Sequence, residues 1–344
     1  MKKCFKVLCI FLSLLLTSCI SINNSNRENN KTKAEVEEKK SIILNEAEIL
    51  KNGYFVEEAI EKLKEEKELC EDSDIQNKIE EYTNYKNHFI KYEGPIEHIF
   101  FHSLIVYPDL AFDNVGHSAN GYNMWFVTVD EFKKILPKLY MRGYVLFNIT
   151  DIYGKDSTGK TVQKDIYLPQ GKKPLILSQD DVNYYEYMKP DGVATRLSID
   201  ENGEISTVVK NKNNEEEITR DGDMVPIVDD FIKEHPDFSF RGAKGTLAVT
   251  GYEGVLGYRL DSDENKKMAK MTADKLKEDG SLDDSSKITF SAGVVNLPKN
   301  VSLPNSDNEL ENFINNCIEA ADAKLYEAKE TGRNNVKLEK IYRL

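Results

Sequence analysis

The sequence contains few residues of the kinds that build cross-links and metal clusters. Its 344 residues include five cysteines, five histidines and one tryptophan, and no two cysteines form a Cys-x-x-Cys pair. This spacing predicts neither a disulfide framework nor a zinc knuckle. Basic residues are also in the minority, with 46 Lys and Arg against 59 Asp and Glu, so the formal net charge is −13. An acidic chain of this kind predicts no nucleic-acid surface, because such a surface needs clustered cations.

Long apolar runs are scarce, and the amino terminus carries a short one. Residues 7–16 are apolar, follow three lysines among the first six residues, and lead to Leu-Thr-Ser-Cys ending at Cys19. The run is too short for an ordinary transmembrane helix, and this order of features resembles a bacterial lipobox. We predict that residues 1–19 are a lipoprotein signal peptide. The mature protein would be exported and held on the outer face of the cytoplasmic membrane by a lipid on Cys19. An ordinary cleaved signal or a short anchor is the alternative.

The next two segments differ in apolar content. Residues 20–40 are rich in Asn, Lys, Glu and Ser, which predicts a disordered tether. Residues 41–92 carry apolar side chains at helical spacing, which predicts a helical hairpin. The pattern around Gly53-Tyr54 resembles a tetratricopeptide-type hairpin, and a plain helical spacer is the alternative.

From Pro95 onward, strand patterns alternate with helix patterns. An amphipathic helix over 128–141 begins with Thr128 as its predicted N-cap. The other predicted elements are strands at 98–106, 143–149, 166–169, 175–177 and 245–250, a hairpin over 196–209 and a helix over 224–233. This alternation predicts an α/β fold with a parallel sheet.

The strand over 175–177 ends in two adjacent carboxylates, Asp180 and Asp181. Ionised carboxylates are costly to bury unless they are paired or bound to a metal. A buried strand that delivers such a pair at its carboxyl end is therefore a candidate site. A polar loop start or a helix N-cap is the alternative for the same residues.

Three other motifs match functional patterns in letters only. Residues 154–161 spell a phosphate-binding loop, but a strand pattern follows where a helix is required, so we predict a polar hairpin. His98 and His102 have metal-ligand spacing on a helix, whereas on a strand they lie roughly 13 Å apart. His102 alone is predicted to line a pocket. Residues 261–265 are acidic but lack the glycine and glutamate spacing of a calcium loop, so we predict a solvated helix start.

Seven segments in order resemble polysaccharide deacetylases of the NodB type. They are residues 101–105, 121–123, 129–132, 142–146, 177–181, 241–245 and 247–259. The resemblance covers about residues 93–279 and implies a distorted (β/α) barrel. It also implies removal of N-acetyl groups from amino-sugar polysaccharide or peptidoglycan with a divalent metal, zinc or similar. Asp180 would be the general base and Asp181 a metal ligand. Arg259 would orient a carboxylate or the substrate, and His102 would contact substrate.

The sequence departs from that family's pattern after about residue 279. The family completes its metal site with a later pair of histidines, but the last histidine here is His235. We therefore predict a partial barrel with impaired or absent activity. The alternative is a non-catalytic lipoprotein that binds cell-wall glycan through aromatic rings. The candidate rings are those of Tyr184, Tyr185, Tyr252 and Tyr258.

The carboxyl-terminal segment has a different character. A strand near 289–295, a helix over 309–330 and a strand near 335–338 precede the end of the chain. Residues 321–334 resemble the closing part of GGDEF domains, the diguanylate cyclases, so residues 283–344 are predicted to be a partial α/β segment of that type. Lys329 and Arg333 would match its phosphate-binding residues, with a basic helix end as the alternative. The signature loop and the metal-binding aspartate are absent, so GTP is not an expected ligand. A cyclase-related signalling protein is the alternative function.

Overall fold

The computed structural model of the chain describes residues 24–65, 67–113, 115, 119–279, 292–296, 304, 306–331 and 336–340. The chain divides into two compact units, Met1–Asp283 and Asp284–Leu344. The predicted signal peptide, with Cys19, lies outside the described residues.

The first unit begins with three helices, α1 (Asn24–Asn52), α2 (Val56–Glu65) and α3 (Ser73–Asn87). Asp72 caps α3, because its carboxylate accepts the backbone N–H groups of Asp74 and Ile75. Apolar side chains at helical spacing form a core between the helices, made of Ile43, Ala47, Val56, Ala59, Leu63, Leu69, Ile75 and Tyr82. The segment over 41–92 therefore contains a third helix in addition to the predicted hairpin.

Helix α1 also covers most of the predicted tether. The backbone is helical from Asn24 onward, over residues for which the composition predicts a disordered tether. Few apolar residues favoured disorder, but Glu and Lys are good helix formers. Extending a helix is far easier than nucleating one, and the half of α1 after residue 41 is already packed against α2.

The rest of the first unit mixes short strands and helices. Its strands are β1 (Ile90–Lys91), β2 (Glu97–Phe101), β3 (Tyr144–Leu146), β4 (Tyr153–Lys155), β5 (Thr161–Gln163), β6 (Tyr167–Leu168), β7 (Lys173–Gln179), β8 (Arg196–Ile199), β9 (Ile205–Lys210), β10 (Glu216–Thr219) and β11 (Thr246–Leu247). Its helices are α4 (Pro108–Ala111), α5 (Ala119–Trp125), α6 (Val129–Met141), α7 (Ile149–Ile152), α8 (Met224–Glu234) and α9 (Asp263–Glu278). Short 3-10 helices occur at Lys67–Leu69, Glu186–Asp191, Pro236–Phe238 and Phe240–Gly242.

Four of these strands form a parallel sheet centred on β7. Strand β2 pairs with residues 175–179 of β7, β3 with residues 173–175, and β11 with residues 178–179. Because β2 occupies one edge of β7, β3 and β11 share the other edge, at its amino and carboxyl ends. This confirms the predicted α/β fold with a parallel sheet. The finer prediction of a partial (β/α) barrel stays a prediction.

Successive residues of β7 point to opposite faces of the sheet, and both faces are covered. Leu175 and Leu177 pack in a core formed with helices α6 and α8. Ile176 packs on the other face with Tyr54, from the turn between α1 and α2. Helix α6 begins at the predicted position, where Thr128 and Glu131 form a reciprocal capping box.

The antiparallel pairs confirm two predicted hairpins. Strands β8 and β9 pair directly, and β10 adds a third strand in the order β10-β9-β8. Strands β4 and β5 pair on either side of residues 156–160, in the predicted polar hairpin. The Gly-Lys-Thr letters therefore lead into a strand, which excludes a phosphate-binding loop at this position.

In the second unit the described residues form β12 (Ala292–Asn296), α10 (Asp307–Glu330) and β13 (Val336–Lys340). The two strands pair in parallel, so α10 is the crossover between them. The side chain of Ser306 caps α10. This confirms the predicted strand-helix-strand order, while the cyclase-type assignment stays a prediction. None of the described helices in either unit combines the length and apolar character needed to cross a membrane.

Candidate functional site

The candidate site lies where β7 ends in Asp180 and Asp181. The N–H of Asp180 donates to the Phe101 carbonyl at 2.8 Å, which extends the β2–β7 pairing by one step. The chain then turns sharply, because Asp181 has a left-handed backbone with φ 52°. Aspartate tolerates this conformation better than most residues. The Asn183 N–H donates to the Asp181 carbonyl at 2.6 Å within the turn, and both aspartates remain half-buried.

The neighbouring strand places His102 beside the second aspartate. The Nε2 atom of His102 lies 4.0 Å from Oδ2 of Asp181. On the other side of the ring, Nδ1 lies 3.2 Å from the carbonyl oxygen of Trp125. A carbonyl only accepts, so Nδ1 carries a proton and donates. In the neutral ring Nε2 is then a free acceptor, and in the cation it is a donor directed at Asp181.

Aromatic rings surround this pair. His102 lies 5.2 Å from the ring of Phe126. Tyr185 lies near Asp181: burial, and after it the charge of Asp181, raises the pKa of Tyr185. Tyr187 stacks on Tyr185 at 5.5 Å and 21°.

One further ring extends this aromatic group into solvent. The ring of Tyr252 is 6.1 Å from that of Tyr185, and Tyr252 is 80% exposed. Exposed rings beside a carboxylate and an imidazole form a surface suited to a ligand with both apolar and polar faces. We call Tyr185, Tyr187 and Tyr252 the tyrosine platform.

The hydrogen bonds of Arg259 go to residues other than Asp180 and Asp181. Its guanidinium donates to the carboxylates of Glu186 and Glu253, each at 2.8 Å, and to the carbonyls of Asn183 and Tyr184. Of its two predicted roles, the contacts fit orientation of carboxylates, although these are not Asp180 or Asp181. The effect is to hold the loop after Asp181 against residue 253.

The described residues do not complete a metal site. No group of three or more His, Cys, Asp or Glu side chains in this part of the chain is arranged to hold an ion. A hydrolytic zinc site uses three protein ligands. His102 and Asp181 are close enough to supply two, and Asp180 is their neighbour in sequence. The predicted divalent metal therefore stays a prediction.

The other predicted site residues fall elsewhere. Lys329 lies in α10 of the second unit, and Arg333 lies outside the described residues. Tyr184 and Tyr258 are 2% and 5% exposed, so these two rings belong to the core and cannot stack on a ligand. Of the predicted stacking residues, only Tyr185 and Tyr252 lie on the tyrosine platform.

Trp125 and Phe126 are contacts of the site that the sequence did not reveal. Trp125 is 66% exposed, and its carbonyl fixes the His102 ring. Both residues lie at the end of α5, far from His102 in sequence, so no local pattern links them. Their only signal is an aromatic pair one residue before the Thr128 cap.

Comparison with protein-family models, with curated proteins and with solved structures gives no match to this chain.

Proposed function

We propose that this chain is an exported, lipid-anchored protein that binds amino-sugar polysaccharide, such as peptidoglycan, at the carboxyl end of β7, with little or no hydrolysis. The observation that carries the proposal is that Asp181 and His102 lie beside the exposed tyrosine platform. The resemblance to polysaccharide deacetylases supplies the substrate class. Export and lipid anchoring rest on the lipobox at Cys19.

The chemistry of the surface suits a sugar polymer. A pyranose ring has apolar C–H faces and a rim of hydroxyl and amide groups. The faces of Tyr187 and Tyr252, 47% and 80% exposed, offer area for the C–H faces. Asp181 accepts hydroxyl or amide N–H groups, and His102 donates or accepts through Nε2 according to its charge.

Binding without turnover follows from the donor inventory. Hydrolysis of an acetamide needs an activated water and a polarised carbonyl. Polysaccharide deacetylases of the NodB type obtain both from a metal. No group of three such donors among the described residues is arranged to hold an ion, and two donors retain a metal weakly. The carboxylates are therefore assigned to ligand binding.

Hydrolysis of N-acetyl groups is the second candidate. The observation in its favour is that Asp180 and Asp181 follow a buried strand and that Asp181 lies 4.0 Å from His102. The two candidates differ in one outcome, which is release of acetate.

The test is co-sedimentation of the purified protein with insoluble peptidoglycan, with acetate measured in the supernatant in the presence of added Zn²⁺. We expect sedimentation without acetate release. Tyr252→Ala should reduce sedimentation. Tyr326→Ala, which removes a ring 64% exposed on α10 in the second unit, is the matched control and should not. Acetate release that Asp180→Asn abolishes would establish the second candidate. Failure of the wild type to sediment would refute the first.

A further inference from the structure

The carboxylate of Asp223 joins the segments that carry the candidate site. It is fully buried, at 0% exposure, and accepts four hydrogen bonds. Oδ1 accepts the N–H groups of Leu104 and Met224 at 3.1 and 2.8 Å. Oδ2 accepts Nε2 of Gln179 and the hydroxyl of Tyr184, both at 2.7 Å.

Three of these donors are close in sequence to site residues. Leu104 is two positions after His102, Gln179 directly precedes Asp180, and Tyr184 is three positions after Asp181. Direct pairing between β2 and β7 reaches its end with the bond from Asp180 to Phe101. Beyond that bond, Asp223 connects the segment after β2 with the segment after β7.

Burying the ionised carboxylate of Asp223 costs free energy unless all four donors are in place. Burial raises the pKa of Asp223, because an ion loses its hydration in the interior, while the hydrogen bonds oppose that rise. Both oxygens of the carboxylate are paired, which favours one arrangement of the four donors around it. Among the described residues, Oε1 of Gln179 is buried without a hydrogen-bond partner.

We propose that Asp223 is a positioning residue that sets the separation between His102 and Asp181, and through it the affinity of the site for its ligand. Two strained residues lie in the segment it holds, Asp181 with φ 52° and Tyr184 with φ 53°. Such conformations persist only when surrounding contacts enforce them. The affinity part of this inference rests on the proposed function, whereas the geometric part does not.

The test uses Asp223→Asn in the full chain. Asparagine has the same shape but replaces one acceptor oxygen with an NH₂ donor, so two of the four donors lose their acceptor. We expect the NMR signals of the His102 ring to shift and those of His235 to stay unchanged. His235 is the internal control, because its ring packs against that of Tyr140, with 4.5 Å between the centroids, instead of contacting the site. Affinity for an N-acetylglucosamine oligomer should fall at least tenfold.

A matched variant separates positioning from general destabilisation. Asp230→Asn changes a carboxylate on α8, the helix that Asp223 caps, where Arg220 is its partner at 2.7 Å. It should lower the melting temperature while leaving the His102 signals and the affinity within twofold of the wild type. Unchanged His102 signals in Asp223→Asn would overturn the inference. If the wild type binds no oligomer, the proposed function fails, and the His102 signals still decide the geometric part.

Tyr184→Phe provides a second route if Asp223→Asn does not fold. It removes one donor and leaves the carboxylate in place. It should shift the His102 signals in the same direction as Asp223→Asn, but less. An unchanged His102 spectrum in Tyr184→Phe would count against Asp223 as the link.

Discussion

His102 and Asp181 face each other across the ends of two adjacent parallel strands, with Nε2 4.0 Å from Oδ2. If both bind the same ligand, their contributions should be coupled. We expect His102→Ala and Asp181→Asn each to weaken oligomer binding roughly tenfold, equivalent to about 1.4 kcal/mol. The double variant should lose less than the sum, because neighbouring groups are not additive.

The control for these His102 and Asp181 variants is His98→Ala. His98 lies on β2, and its Nε2 is 2.7 Å from the Ser178 hydroxyl. Its removal should leave the affinity within about twofold of the wild type. Strict additivity of the His102 and Asp181 variants, measured by calorimetry, would argue that they do not share a ligand.

Arg259 should control the mobility of the loop that follows Asp181. The N–H of Glu186 donates to Glu253, whose carboxylate also accepts Arg259. Lysine cannot reproduce a guanidinium that serves several acceptors. In Arg259→Lys we expect the Glu186 amide to exchange with solvent roughly tenfold faster, which corresponds to about 1.4 kcal/mol of local stability.

Arg196→Lys is the matched control for this exchange measurement. Arg196 pairs with Glu216 at 2.7 Å within the β8–β10 sheet and makes no recorded hydrogen bond to the loop. Equal exchange rates at Glu186 in the wild type and in Arg259→Lys would contradict the role given to Arg259.

Tyr54 should anchor the helical segment to the α/β part of the first unit. It is 3% exposed, and its hydroxyl donates to the Asp237 carbonyl at 3.0 Å. Tyr54→Phe should cost about 1 kcal/mol of unfolding free energy through the lost hydrogen bond. Tyr54→Ala should cost about 3–5 kcal/mol, as large aromatic deletions in cores do.

Urea unfolding measures both Tyr54 variants, with Tyr167→Ala as the control. Tyr167 is 51% exposed, so its removal should change the unfolding free energy by no more than about 0.5 kcal/mol. A cost below about 1 kcal/mol for Tyr54→Ala would show that the anchor carries little of the stability.

Acid stability should depend on the pair formed by Tyr82 and Glu48. The buried Tyr82 hydroxyl donates to Glu48 at 2.6 Å, and this bond holds the pKa of Glu48 below its ordinary value. A folded pKa below the unfolded one stabilises the fold above the unfolded value of about 4.3. That contribution disappears as the pH falls through the folded pKa.

Tyr82→Phe removes the donor, so the loss of stability between roughly pH 5 and pH 3 should become smaller. Unfolding free energies at a series of pH values measure this slope. Tyr85→Phe, on the same helix, is the control and should keep the wild-type slope. An unchanged slope in Tyr82→Phe would mean that Glu48 gains nothing from the hydrogen bond.

The sequence predicted those features that depend on neighbours along the chain. The apolar run before Asp180 identified β7, Thr128 identified the start of α6, and the strand pattern over 196–209 identified the β8–β9 hairpin. Each follows from local periodicity, capping or turn chemistry, which a single sequence records.

Features that depend on distant contacts were not predictable. The contact of His102 with Phe126 joins residues 24 positions apart, and Asp223 meets its partners from three separate segments. Helix α1 was missed over 24–40 because its composition favours disorder, while its continuation packs against α2. Tertiary packing overrides composition in such cases.

The central claim is tested most directly by calorimetric titration of the full chain with a soluble N-acetylglucosamine oligomer, in parallel with a variant that carries Asp181→Asn and Tyr252→Ala. We predict saturable binding by the wild type and at least tenfold weaker binding by the variant. We also predict no free acetate in the solution recovered from the calorimeter. Equal affinity of the two proteins, or no heat of binding in the wild type, would contradict a glycan site at the end of β7.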